Sequence, residues 1–274
     1  VRVILLYLQN IENLGKMLIS KKDKLAITFK DDKYTYEQLL RYSQIYADKF
    51  SLESQPEKIL ICAQNSPEWC FAFYGAMRCK SIVVPLDAQS TKKEIEYVIN
   101  DCRPDIVFIS DDKKEMFADI NLQGARLYTK DDFQLSDDTS IAANDIPLGN
   151  LEDVMLINYT SGTTGNPKGV MLSYKNVMFN IDSVSKQVPI FQEDSNVMVL
   201  LPLHHILPLL GSLVAPLYMG GTLHIAEAMN AESIIKTLNA GKVSIIIGVP
   251  RLYDMLVKGV MNKINASFVT RLLY

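Results

Sequence analysis

The sequence has no CxxC pair, a single tryptophan, three histidines and only four cysteines, Cys62, Cys70, Cys79 and Cys102, all within one third of the chain. With no paired spacing and no matching histidines, zinc ribbons and disulfide frameworks are excluded, and the thiols read as buried ones in a reducing compartment. Runs of five like charges are also missing, and a net charge of -3 leaves no electrostatic footprint for nucleic acid. The opening VRVILLYL is too short for the apolar core of a secretory signal, and no small-residue cleavage site follows it, so cytoplasm is the expected location. From Ser195 to Ala226 there is no Asp, Glu, Lys or Arg, a gap long enough on charge alone to span a bilayer. Pro202, Pro208, Pro216, His204-His205 and Gly220-Gly221 cut it into pieces of strand and helix length. The expectation is a buried core without a transmembrane span, with peripheral membrane contact still allowed. No fixed-period repeat or low-complexity tract is present.

What is there is a globular composition. The 274 residues, 48% hydrophobic and 22% charged, are enough for one large α/β domain or two smaller lobes. Short β-branched runs alternate with amphipathic helices: Lys58 to Cys62 reads as a strand, Pro67 to Arg78 as a helix with proline in its first turn, and Ser81 to Pro85 as a strand. Thr91 and Glu94 form a capping box ahead of a helix whose Ile95, Val98, Ile99 and Cys102 share one face, and Asp105 to Ser110 follows as a strand. The polar interval Asp131 to Asp153 reads as an exposed connector. The alternation then restarts with a strand at Val154 to Asn158, a helix capped by Ser173, a strand at Asn196 to Leu201 and another at Thr222 to Ala226. A helix at Glu232 to Leu238, a strand at Val243 to Val249 and a helix at Leu252 to Ile264 complete it. Near the N-terminus LAITFKDDKYTY reads as a hairpin turning at Asp31-Asp32, followed by a helix behind a capping box at Thr35 to Gln38. The predicted fold is α/β, two βα arrays forming mostly parallel sheets flanked by helices. Residues 58–185 are expected to form one unit, and residues 1–57 with 186–274 a second, incomplete one whose open sheet edge allows self-association.

Between the strand at 154–158 and the helix after Ser173 lies YTSGTTGNPKG, Tyr159 to Gly169. Thr160 to Gly169 holds three glycines, four hydroxyl side chains, one lysine and no acid. Its N–H groups can approach a phosphate closely, its hydroxyls can bridge phosphate oxygens, and its lysine can offset their charge. It is not a Walker A loop, which would need glycine at 167 and Ser or Thr at 169, where Pro167 and Gly169 stand. A glycine-rich strand-to-helix turn without chemistry would have a similar composition.

The full string TSGTTGNPKG resembles, position by position, the AMP-binding signature of the adenylate-forming superfamily of acyl-CoA synthetases, peptide-synthetase adenylation domains and luciferases. NSPEW at 65–69, VVPLD at 83–87, LPLHH at 201–205, GGTLHI at 220–225 and VPRLYDML at 249–256 resemble family segments in the expected order. The resemblance implies that Tyr159, Thr160, Ser161, Gly162, Thr163, Thr164, Gly165 and Lys168 bind ATP, with Lys168 catalytic. It also implies that His205 lies beside the carboxylate of a small-molecule acid, where the plainer alternative is that His204 and His205 satisfy each other in a loop. Mg²⁺ would arrive with ATP, no protein metal site is expected, and coenzyme A would be the co-substrate. VPRLYDMLVKGVMNKINAS looks most like long-chain fatty acyl-CoA synthetases, which makes a fatty acid the expected substrate. Aryl or amino acid adenylation and a non-catalytic nucleotide-binding fragment are the alternatives. Family motifs that follow this region, an adenine-side aromatic-Gly-x-Thr-Glu and a C-terminal lysine, are not in these residues, so the chain by itself is expected to be inactive.

Overall fold

The computed structural model describes residues 21–138, 146, 149–160, 166–187, 189–250, 252–254, 257–258 and 261. A hairpin of β1 (Leu25–Phe29) and β2 (Asp32–Thr35) leads into α1 (Tyr36–Phe50). Then β3 (Lys58–Cys62), α2 (Pro67–Arg78), β4 (Ile82–Pro85), α3 (Lys92–Cys102) and β5 (Ile106–Ile109) alternate, before a short α4 (Lys114–Ala118) and β6 (Arg126–Tyr128). Next come β7 (Val154–Thr160), β8 (Lys168–Ser173), α5 (Tyr174–Asp182) and β9 (Asn196–Val199). Helical segments α6 (Ile206–Pro208), a π-type turn (Leu209–Val214) and α7 (Ala215–Met219) adjoin one another, followed by β10 (Thr222–Ile225), α8 (Ala231–Gly241) and β11 (Ile245–Ile246).

One sheet runs β6-β5-β3-β4-β7-β8 and is parallel except for β8; the other runs β11-β9-β10-β1-β2 and is parallel except for β2. Side-chain alternation decides which element covers which face. Ile59 and Ile61, Ile106 and Phe108 face the large core shared with α1 and α2, while Leu60 and Cys62, Val107 and Ile109 pack with the α3 face Ile95, Val98, Ile99 and Cys102. In the second sheet Val197, Val199, Leu223 and Ile225 join that same large core, and Met198 packs with Ile234 of α8 on the far side. The layers are therefore α3, six-stranded sheet, central helices, five-stranded sheet and α8. Runs such as KILIC are apolar throughout because both of their faces are covered.

The predicted α/β class and its mostly parallel sheets are what the molecule has. Capping boxes form at Thr35 with Gln38 and at Thr91 with Glu94, and Ser173 caps α5. Three details differ. The segment after the glycine-rich loop is an antiparallel edge strand, β8, because pairing with β7 gives its backbone groups the partners that a sequence with few β-branched residues does not announce. The 131–153 connector is not simply exposed: Phe133 is buried and stacks on Tyr46 with ring centroids 3.7 Å apart. The strand read at 243–249 is confined to Ile245–Ile246. Most of the helix expected at 252–264 lies outside the described residues. Pro208 and Pro216 flank the π-type turn, and neither has an N–H to give to an α-helical ladder.

His224 ties the second sheet together through both ring nitrogens, Nδ1 with Thr28 Oγ1 at 2.8 Å and Nε2 with Asn196 Oδ1 at 3.0 Å. At Gly241, the last residue of α8, an added Cβ would lie 2.5 Å from His224 Cγ. Gly241→Ala is predicted to destabilise the fold by about 1–3 kcal/mol through overpacking, read as a lower urea midpoint. Burial holds the imidazoles of His224 and His204 below their ordinary 6.5. The unfolded chain therefore binds more protons as pH falls through about 6.5, and stability is predicted to drop from pH 7 to pH 5, less steeply in His224→Gln.

Candidate active site

The glycine-rich segment joins two antiparallel strands, so it is a hairpin connection. Thr160 and Lys168 are opposite one another at its base, Tyr159 opposite Gly169, and Asn158 opposite Val170. Ser161, Gly162, Thr163, Thr164 and Gly165 lie outside the described residues. Thr160 and Lys168 are both exposed, which leaves a hydroxyl and an ammonium side by side at the mouth of the loop.

Tyr159 turns from that mouth. Its ring lies over Gly169, where a Cβ would sit 3.1 Å from Tyr159 Cζ and 2.8 Å from Ile157 Cγ2, so only glycine fits under the ring without movement. Its hydroxyl donates to Asp101 Oδ2 in the last turn of α3 at 2.5 Å. Burial first, then this carboxylate, pushes the phenol well above its ordinary value and keeps it a donor. In this geometry Tyr159 braces the hairpin with its side chain.

The carboxyl ends of parallel strands from both sheets face one cleft of about 150 Å³, lined among others by Asn65, Asp87, Leu200, Pro202, His204 and Glu227. In doubly wound sheets this is where crossovers leave a crevice. His204 stands 3.7 Å from Asp87 Oδ2 with its own side chain 12% exposed. Burial pulls its pKa down to about 4 against the opposing pull of Asp87, and His205 adds a smaller push in the same downward direction. At neutral pH the contact is thus between a neutral imidazole and a carboxylate. His205 is exposed, its ring centroid 4.0 Å from that of His204, and it makes no side-chain capping bond to α6. The structure therefore joins His204 and His205 by ring contact, and gives Asp87 to the buried member.

Three residues given no role on sequence grounds hold this region together, although Asn65 and Asp87 lie in the NSPEW and VVPLD segments. Asn158, 6% exposed, donates from Nδ2 to the His204 carbonyl at 2.6 Å. Asn65 donates to the Leu201 carbonyl at 2.9 Å and accepts from the Leu203 N–H at 3.0 Å. Asp87 supplies the contact to His204. The available signal was a polar residue at the end of an otherwise apolar strand, in INYT and VVPLD. A largely apolar cavity of about 490 Å³ has Ile206, the residue after His205, in its lining, with Ile181, Phe191, Leu210, Gly211 and Ile247 among others. Among the described residues no group of three His, Cys, Asp or Glu side chains is placed to hold a metal ion, and no helix is long and apolar enough to cross a membrane.

The family described as AMP-binding enzyme matches residues 19–272. Long-chain-fatty-acid–CoA ligase 1 of Schizosaccharomyces pombe is 36% identical over 121 residues, covering 42% of this chain and 18% of the relative. Malonate–CoA ligase of Arabidopsis thaliana is 25% identical over 272 residues, covering 86% of this chain and 45% of that protein. The crystal structure of ATP-bound MatB from Rhodopseudomonas palustris superposes with a TM-score of 0.74 at 27% identity, covering 89% of this chain and 50% of its own. The chain spans less than half the length of these two curated relatives.

Lys168 is exposed at the base of this hairpin, so its ammonium is not part of the packed core. Lys168→Met in the full-length protein is predicted to lower ATP–pyrophosphate exchange by at least about tenfold. Its effect on folding is expected to stay within about 0.5 kcal/mol, read by denaturant melts. An unchanged exchange rate would remove Lys168 from the site.

Proposed function

We propose that this chain, which belongs to the AMP-binding enzyme family, is the acid-activating part of an acid–thiol ligase that converts a carboxylic acid, by preference a long-chain fatty acid, to acyl-AMP and then to acyl-CoA. The observation that carries the substrate is the apolar cavity of about 490 Å³ that begins at Ile206, the residue after His205. Its size lies within the roughly 300–1,000 Å³ of small-molecule pockets, and its lining offers an alkyl chain dispersion contacts and no charge to desolvate. The reaction itself is supported by the loop chemistry of Thr160 to Gly169 and by the family.

In the first step an acid oxygen bonds to the α-phosphorus of ATP while the bond to the bridging oxygen breaks and pyrophosphate leaves. Two anions must meet for this, so the site has to spread negative charge. Thr160, Ser161, Thr163 and Thr164 offer hydroxyls, the glycines offer N–H groups, and Lys168 offers a cation toward the β- and γ-phosphates. His205 donates a hydrogen bond to the acid carboxylate and orients it for in-line attack. Mg²⁺ supplied with the nucleotide would neutralise phosphate charge. In the second step the coenzyme A thiol gives up its proton to solvent, its sulfur attacks the acyl carbon, and AMP leaves with the electron pair of the anhydride bond. In this reading the contacts to adenine and ribose and the family's C-terminal catalytic lysine come from parts of the fold outside these 274 residues.

The full-length protein is predicted to give a higher kcat/KM with palmitate than with acetate or benzoate in a coupled AMP-release assay. Deleting methylene contacts in an apolar pocket costs about 1–3 kcal/mol each, so acetate should lose by several orders of magnitude. A preference for acetate or benzoate would overturn the fatty-acid reading.

A further inference from the structure

The loop that carries His205 makes few backbone bonds of its own. Pro202 has no N–H, the His205 N–H closes a turn on the Pro202 carbonyl at 3.2 Å, and the His205 carbonyl accepts from Leu209 to begin the helix. The other peptide groups lean on side chains of the opposite sheet. Asn65, in the turn between β3 and α2, reads Leu201 and Leu203 with both ends of its amide, and Asn158 on β7 holds the His204 carbonyl. Asn158 is also two residues from Thr160, at the base of the phosphate-type hairpin.

We propose that Asn158 and Asn65 are positioning residues that fix His205 relative to Thr160 and Lys168. The inference rests on the reading above that His205 meets the acid and the hairpin meets ATP. A strand is stiff over two residues, so a hydrogen bond from Asn158 to the peptide group between His204 and His205 refers the acid side of the site to the strand that carries its phosphate side. Near-attack geometry depends on that separation, and displacements of about 1 Å cost on the order of 100-fold in rate. The amide at 65 is chemically specific: a side chain of this length must donate to one peptide group and accept from another, which a carboxylate cannot do. Asn158 is itself buried, so its loss removes this partner from the His204 carbonyl and leaves a gap at the base of the hairpin. Simple glue between the two sheets would make the same contacts, but it would act on stability and not through His205.

The test is a double-mutant cycle in the full-length protein, with Asn158→Ala and Asn65→Asp made singly and on a His205→Ala background. Each single change should lower kcat for pyrophosphate exchange about 10- to 100-fold with the KM for ATP within about twofold. Without His205, the same changes should cost less than about twofold more, since the group they position is gone. Equal factors with and without His205 would overturn the proposal. Two further readouts need no activity: Leu203 amide exchange should accelerate at least about tenfold in Asn65→Leu, and the His205 imidazole NMR signals should shift or broaden in Asn158→Ala. A wild type without exchange on any acid would sink the activation reading alone, and these two signals would still decide the clamp, unchanged protection and unchanged imidazole signals counting against it. Where Asn158→Ala unfolds the protein, Asn65→Asp, which keeps the acceptor for Leu203, carries the cycle.

Discussion

A parallel sheet cannot leave a face to water, because each crossover returns over that face, and here two such sheets share one layer of helices. That shared layer is the constraint on which the other features depend. α1 and α2 must be apolar on more than one side, which is why Tyr36, Leu39, Leu40, Tyr46 and Phe50 of α1, and nearly every residue of α2, are buried. Polar groups inside the layer are then acceptable only with partners: the Tyr36 hydroxyl donates to the Gly221 carbonyl at 2.6 Å, and Arg78 donates to Ser43 Oγ at 2.8 Å. Fixing the two sheets on one helical layer also sets how their carboxyl ends face each other.

From that arrangement the cleft follows. Strands of one direction end together, so β3, β4 and β7 deliver Asn65, Asp87 and Thr160 to the same side as the residues after β9 and β10. Across the cleft, dispersion is weak and geometry is set by hydrogen bonds of Asn65 and Asn158 and by the neutral His204 beside Asp87. The apolar cavity lined by Ile206 belongs to the other regime, where packing and not hydrogen bonding decides what fits. Polar clamp and apolar pocket thus meet at a single residue pair, His205 and Ile206.

Much of the fold was legible because its signals are local. Capping boxes need residues only three apart, and Thr35 with Gln38, Thr91 with Glu94 and Ser173 with Asn176 all form. Short β-branched apolar runs alternating with amphipathic helices read as strands of a parallel sheet, and KILIC and DIVFIS are legible that way. β8 was not, since KGVMLS has little β-branching and is a strand only by pairing with β7. Nor was the burial of Phe133, whose polar neighbours suggested an exposed connector and whose ring is held by the distant Tyr46.

The sequence by itself determined the strands and helices, their α/β class, and the order of residue types along Thr160 to Gly169, because propensity, capping and turn chemistry act over a few residues. Only the tertiary structure decided that Tyr159 braces on Asp101, that His204 loses its charge to burial beside Asp87, and that Asn158 holds the His204 carbonyl. Those depend on which groups meet across 46 residues or more of chain and on how much water is excluded where they meet, and neither quantity exists until the two sheets close on their common helices.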